Sequence, residues 1–243
     1  MAQEKAVAKQ SNTALAIMAP QAEQAVAAVK EALGSDPLTL SMLGVIKMPT
    51  GGGKYWDTPI GPRDTVEGVV VHSQVVRAYW EKSIDETGGG DPPDCYAQDG
   101  QNGAGAPGGE CGRCPFSAWE SDPRGGGGQA CSQITYQFVL TAESGVLPWA
   151  IRLSPSNHAV AQAYRIEQAK IASHYSKVLT SIGLEPAKSG GGVAYSRATF
   201  KRVRGLNDAE LESIEKYRTE MLGHLKALLA RREAASPPAA AAE

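Results

Sequence analysis

The sequence predicts an α+β fold: a small antiparallel β-barrel of about five short strands, split by a four-cysteine insertion and flanked by helices. Three observations predict it. Alternating or valine-rich segments recur along the chain, with the period of half-buried strands. Longer stretches with a helical apolar stripe lie before, between and after them. A glycine-rich stretch at about 85–131 has neither period and holds all four cysteines. With 243 residues, 42% hydrophobic and 21% charged, one domain over 21–234 is expected. Polar, alanine-rich ends at 1–20 and 235–243 are expected to be flexible.

"PQAEQAVAAVKEALG" reads as a helix, with Pro20 near its start, Val26, Val29 and Leu33 on one stripe and Gly34 as its stop. "LTLSMLGVIKM" reads as extended. "PTGGGKYWDTP" is close to a phosphate-binding loop, but that motif needs glycine where Met48 stands and a hydroxyl where Tyr55 stands; a plain loop is expected. Residues 65–80 read as one bulged strand or two short ones, interrupted near His72 and Ser73. Ile134, Tyr136, Phe138 and Leu140 alternate in a strand, and Leu147, Trp149, Ile151 and Leu153 in the next, with "ESG" as a turn between them. The cysteine segment is thus inserted between consecutive strands, so its ends near Glu81 and Ser132 must be neighbours. Ser154 and Pro155 predict a helix start, with Val160, Tyr164, Ile171, Tyr175, Val178 and Ile182 on one face and Gly183 as its stop. "VAYSRATFKRVR" is a further strand with four bases and no acid. Asn207 and Glu210 open a last helix in a capping-box-like pair, with Leu211, Ile214, Tyr217, Met221, Leu225 and Leu228 as its buried stripe.

The cysteines Cys95, Cys111, Cys114 and Cys131 are spaced C-x15-C-x2-C-x16-C. Four thiolates complete one tetrahedral zinc shell. The surrounding loops bury too little apolar surface to fold unaided, and a structural Zn2+ would supply the missing free energy. Free thiols and an unusual iron–sulfur site remain the alternatives. A thioredoxin-like redox pair does not fit, because Pro115 follows and no strand–helix–strand unit surrounds the motif. The four histidines lie outside the segment.

Charge is unevenly spread. Residues 85–131 carry eight acids and two bases, a net −6, while the whole chain is −2. A polyanion would therefore meet the rest of the chain, not the insertion. No apolar run approaches the ~18 residues of a membrane span. The N-terminal stretch, with Glu4 and Lys5 before polar residues, lacks a cleavable-leader pattern. A cytoplasmic protein in a reducing compartment is expected. No catalytic triad, carboxylate pair or nucleotide loop is visible, and a closed four-cysteine site leaves no open coordination position; no enzyme is expected.

Five short strands with a helix between late ones make the oligonucleotide-binding (OB) barrel the leading candidate. A family resemblance points the same way. "PPDCYAQDGQNGAGAPGGECGRCPFSAWES", "ACSQITYQFVL" and "LPWAIRLSPSNHAVAQAY" resemble single-stranded-DNA-binding proteins of bacteriophages and related mobile elements, from about Tyr55 to Leu211. The four cysteines, Pro115, Trp119, Leu147–Pro148, Leu153, Pro155 and Ser156 carry the likeness. It implies an OB-like barrel with a zinc-ribbon insertion, acting on single-stranded DNA beside phage replication or recombination proteins. One departure is plain: the tail "SPPAAAAE" has a single acid, which puts partner recruitment through an acidic hook in doubt.

Binding without sequence preference needs stacking faces and a basic track. The candidates are Trp56, Arg77, Trp80, Lys82, Arg152, Arg197, Lys201, Arg202 and Arg204. Trp149 reads as core, and Trp119 as packing for the cysteine module. The competing reading is a zinc-stabilised protein-interaction module, for example one that blocks a host factor, with no direct contact to DNA.

Overall fold

A computed structural model describes residues 24, 26–49, 51–83, 86, 91–123, 127–190 and 192–230. The expected flexible segments 1–20 and 235–243 lie outside the described residues. Among the described residues the fold is α+β, with a nine-stranded sheet, a separate two-stranded ribbon and three α-helices.

Helix α1 is described over 26–33 and ends at Gly34, whose φ of 56° is the left-handed stop that glycine supplies. β1 (Val45–Ile46) follows, then the ribbon β2 (Trp56–Thr58) and β3 (Gly61–Arg63). β4 (Thr65–Tyr79) is the spine of the molecule. Its first residues pair with β10 (Val178–Lys188), and from Val69 onward it pairs with β8 (Cys131–Leu140). Gly68 sits at the handover. A Cβ there would lie 2.3 Å from the Leu140 carbonyl oxygen, so only glycine lets the strand pass. The expected bulge is present as a register shift between Val70 and His72.

β9 (Trp149–Leu153) pairs with β8 on one side and, in parallel, with β1 on the other. Helix α2 (Pro155–Lys170) then leads to β10, which forms a long hairpin with β11 (Ala194–Gly205). The insertion adds β5 (Cys95–Ala97), β6 (Asn102–Gly105) and β7 (Gly109–Glu110) beyond the distal end of β4. Helix α3 (Asp208–Leu228) closes the described chain with the Asn207–Glu210 capping box.

Two cores lie on opposite faces of the sheet. One is enclosed by β4, β8, β9, β10 and β11 and plugged by α2: Val66, Val70, Val139, Trp149, Ile151, Leu153, Ala161, Ile182 and Ala198. The other lies under α3 and α1, where Ile214, Tyr217, Met221, Leu225 and Leu228 cover Val71, Val76, Ala78, Ile134, Tyr136 and Phe138. Both faces of the β4–β8 pair are therefore used. That explains the continuous valine run of β4.

Two expectations are corrected. The helix read from Ser154 to Gly183 stops at Lys170; Ala172 takes φ 54°, and 178–188 is strand β10 with Gly183 inside it. Val178, Thr180 and Ile182 are β-branched, and pairing with both β4 and β11 outweighs the helical spacing. Ser154 precedes α2 but makes no capping bond to it; its hydroxyl instead meets Ser156 and Asn157.

The second correction concerns closure: the sheet does not close into a barrel, because no ladder joins β9 to β11. Buried Asn157 of α2 stands at β11 instead. Its Oδ1 accepts from Ala198 N (2.6 Å) and its Nδ2 donates to Ser196 O (3.0 Å). One side-chain amide thus satisfies the strand edge that a ladder would have used.

Candidate functional site

The pleat explains how four cysteines 36 positions apart meet. In one row of the sheet, Tyr79 of β4 lies opposite Cys95 of β5 on one side and opposite Cys131 of β8 on the other. All three side chains share a face. The expected neighbouring of the insertion's two ends is this row, with Ala78 opposite Ser132 beside it. The knuckle folds over the same face. Cys111–Arg113 and Pro115–Ser117 form two short 3-10 turns, and Phe116 stacks on Tyr79 with centroids 4.5 Å apart and planes 4° apart. Ser117 Oγ donates towards the carbonyls of Cys111 (2.7 Å) and Cys114 (2.8 Å), fixing the turn.

All four cysteines line one small cavity with Tyr79, Gly103, Pro107, Phe116 and Ser117, and none is in a disulfide. Gly103 is required there, since a Cβ would lie 2.7 Å from Cys95 Sγ. The donor set is the one a tetrahedral zinc ion takes. Yet among the described residues no three Cys, His, Asp or Glu side chains stand in a metal-holding group. Burial pushes the Cys111 thiol up and the Cys131 thiol up to about 11, with Arg77 nearby drawing both the other way. A metal would have to displace those protons.

The residues expected to touch nucleic acid are scattered. Trp56 is fully buried, and its Nε1 donates to Ile182 O at 3.0 Å; it cannot stack on a base. The alternation of β2 turns Trp56 and Thr58 inward and Asp57 out, so the charge beside it was no sign of exposure. Trp80 packs at the margin of the core under α3 and donates from Nε1 to Asp91 O. Arg204 is also corrected. Its guanidinium grips both oxygens of buried Glu210 at 2.7 and 2.8 Å, locking β11 to the start of α3. Arg197 faces Glu185 across the hairpin at 3.8 Å. Arg152, on β9, bonds Tyr136. Arg77 donates to Gln133 across the β4–β8 ladder. Lys82, Lys201 and Arg202 are exposed. Arg77 is not brought together with Lys201 and Arg202, since it lies about 30 Å along β4 from Gly68, which pairs with Thr180 of β10 opposite Arg202.

Trp149 is core, as its alternation implied. Trp119 is not packed into the cysteine module but 61% exposed. Three residues that nothing in the sequence singled out prove central: Asn157 at the β11 edge, and His158 and Arg165 on the sheet-facing side of α2. Their partners, Thr135 and Ser73, lie on other strands, so no local spacing could reveal them.

The Arg204–Glu210 pair makes stability depend on pH. The Arg204 hydrogen bonds hold the Glu210 carboxyl below the usual carboxylate range, helped by the Asn207 N–H. A depressed carboxyl stabilises above its unfolded pKa and loses that contribution as pH falls through its folded value. Glu210→Gln is expected to cost about 2 kcal/mol at pH 7, the worth of a hydrogen-bonded charge. The gap to wild type should close below roughly pH 4; denaturant titrations across pH 3–7 check it. A constant gap would show that the charge is not what matters.

No family model matches the chain, and neither a curated relative nor a solved structure was found for it. Among the described residues no helix is long and apolar enough to cross a membrane.

Proposed function

We propose that the protein binds single-stranded DNA without sequence preference, through a scaffold that is an open variant of the OB barrel. The strand order carries this reading. The five long strands run β9-β8-β4-β10-β11, with α2 between β9 and β10. In chain order that is third, second, first, fourth, fifth, the arrangement of a five-stranded Greek-key barrel left open between its third and fifth strands. β11 adds exposed Lys201 and Arg202 and no acid. The cysteine module holds one structural Zn2+ through Cys95, Cys111, Cys114 and Cys131. Its acidic surface keeps phosphates away, so it serves folding and not grip. The setting is phage or mobile-element replication or recombination, in the cytoplasm of the host cell.

The test is a salt titration of binding to a labelled oligothymidylate and to duplex DNA. Single-strand preference and a negative dependence of log K on log salt are expected. Lys201→Gln with Arg202→Gln should flatten that slope by about 1.4. No binding even at low salt would overturn the reading. One observation favours the protein-interaction alternative: Trp119 is exposed on an acidic module, as a docking anchor would be.

A further inference from the structure

The face that OB barrels commonly offer to oligonucleotides, over their second and third strands, is here largely covered. α3 and α1 bury Tyr136, Phe138 and Ala150 on that side of β8 and β9. The opposite face of the distal β4–β8 pair has a different character. Ser73, Val75 and Arg77 of β4 stand across from Gln137, Thr135 and Gln133 of β8, and Ser73, Val75, Arg77 and Gln133 stay partly exposed. Three cation-forming side chains line it. Arg165 of α2 reaches Ser73 Oγ at 3.0 Å. His158 of α2, two turns earlier, meets Thr135 Oγ1 at 2.9 Å. Arg77 bonds Gln133.

These contacts mark successive pleats. Ser73, the Val75–Thr135 pair and Arg77 are each two residues apart along the strand, so the three cationic positions are spaced about 7 Å apart. That spacing is comparable to the repeat of an extended sugar–phosphate backbone. The row carries no acid of its own, and only its Arg77 end lies near the Cys111 and Cys131 sulfurs. Among the described residues neither arginine has a carboxylate partner, and each bonds a neutral oxygen. Arg77 also keeps a buried Nη1 with no hydrogen-bond partner. Burial, and after it the two guanidinium groups, hold the His158 imidazole below its ordinary pKa.

We infer that Arg165, His158 and Arg77 form a phosphate track for single-stranded DNA along the face of β4–β8 that α2 borders. The inference rests on the DNA-binding reading and moves its main contact from Lys201 and Arg202 of β11 to this row. The strand would run beside α2 towards the cysteine module and stop where the acidic surface begins.

The experiment uses the full chain and a labelled oligothymidylate, with anisotropy read across a salt series. Arg165→Gln is expected to weaken binding about fivefold at low salt and to lower the slope of log K against log salt by about 0.7. Arg165→Lys keeps the charge and should keep the slope, even though the bond to Ser73 changes. His158→Gln should leave the slope unchanged at pH 8, where the imidazole is neutral. Thermal melts of each variant separate folding from binding. If wild type binds while Arg165→Gln matches its affinity and slope, the track is overturned and the DNA-binding reading stands. If Arg165→Lys flattens the slope as much as Arg165→Gln, the residue is structural and the track is again overturned. If wild type binds no oligonucleotide, both fall together.

Discussion

Replacing Cys114 by serine is expected to remove close to one equivalent of zinc per chain and to unfold the insertion around it. The effect should be the largest of any single substitution. Structural zinc sites bind with an apparent ~10–16 kcal/mol at neutral pH, which rivals the entire stability of an ordinary domain. The insertion has little else to hold it. β5, β6 and β7 are two to four residues long, and its buried apolar contacts centre on Tyr96, Cys111 and the Tyr79–Phe116 stack. Past Gln98 its hydrogen bonds are local, such as Ala106 N to Asp94 O and Cys111 N to Gln101 O; the long-range ones, Tyr96 Oη to Leu229 O and Gln74 Nε2 to Gln98 O, belong to β5 and the residue after it. Cys95 and Cys131, by contrast, belong to strands paired with β4. Loss of the metal should therefore raise amide exchange over 98–130 first and leave the β4–β8 ladder protected. Elemental analysis and hydrogen exchange check the two halves of this expectation. Protein that purifies metal-free with an unchanged melting temperature would refute it.

Trp56→Ala is expected to be the most damaging substitution outside the cysteine module, and to act on stability and not on affinity. The indole is wholly buried among Ile46, Val66, Ile151 and Ile182. Removing such a ring costs about 4 kcal/mol. The Ile182 carbonyl also loses its Nε1–H partner, at about 1 kcal/mol more. For a domain of this size, a fall of roughly 10 °C or more in melting temperature follows. Whatever fraction stays folded should bind an oligonucleotide as wild type does. A variant with an intact melting temperature and weakened binding would instead restore Trp56 as a stacking residue and contradict its position beneath the sheet.

The two tryptophans that broke expectation show what local pattern can carry. Trp56, a stacking candidate by its residue type, lies beside Asp57 and near Lys54. In a strand, however, adjacent residues point to opposite faces, so a charged neighbour is evidence for burial as much as against it. Trp119 lies beside the knuckle, yet its turn, with Glu120 at φ 66°, leaves it exposed. The sequence places Arg204 in a basic strand. Its true partner, Glu210, is only six residues away but belongs to the next element, and the pair forms only because β11 ends where α3 begins.

Period and punctuation determined most of the elements by themselves. The stripe of α3, the bulged run of β4, the β8–β9 hairpin, the acid-free β11 and the placement of a cysteine insertion between two strands all follow from residues a few positions apart, where backbone geometry dictates which side chains share a face. The tertiary structure decided the rest. It turned 178–188 into a strand by offering partners on both sides, which local spacing cannot register. It left the sheet open because Asn157, rather than a ladder, satisfies the edge of β11. It set Cys95 and Cys131 on either side of Tyr79, and it drew Arg165, His158 and Arg77 into one row from a helix and a strand some 80 residues apart. Those outcomes depend on contacts between distant segments, whose free energy exists only once the chain has already brought them together.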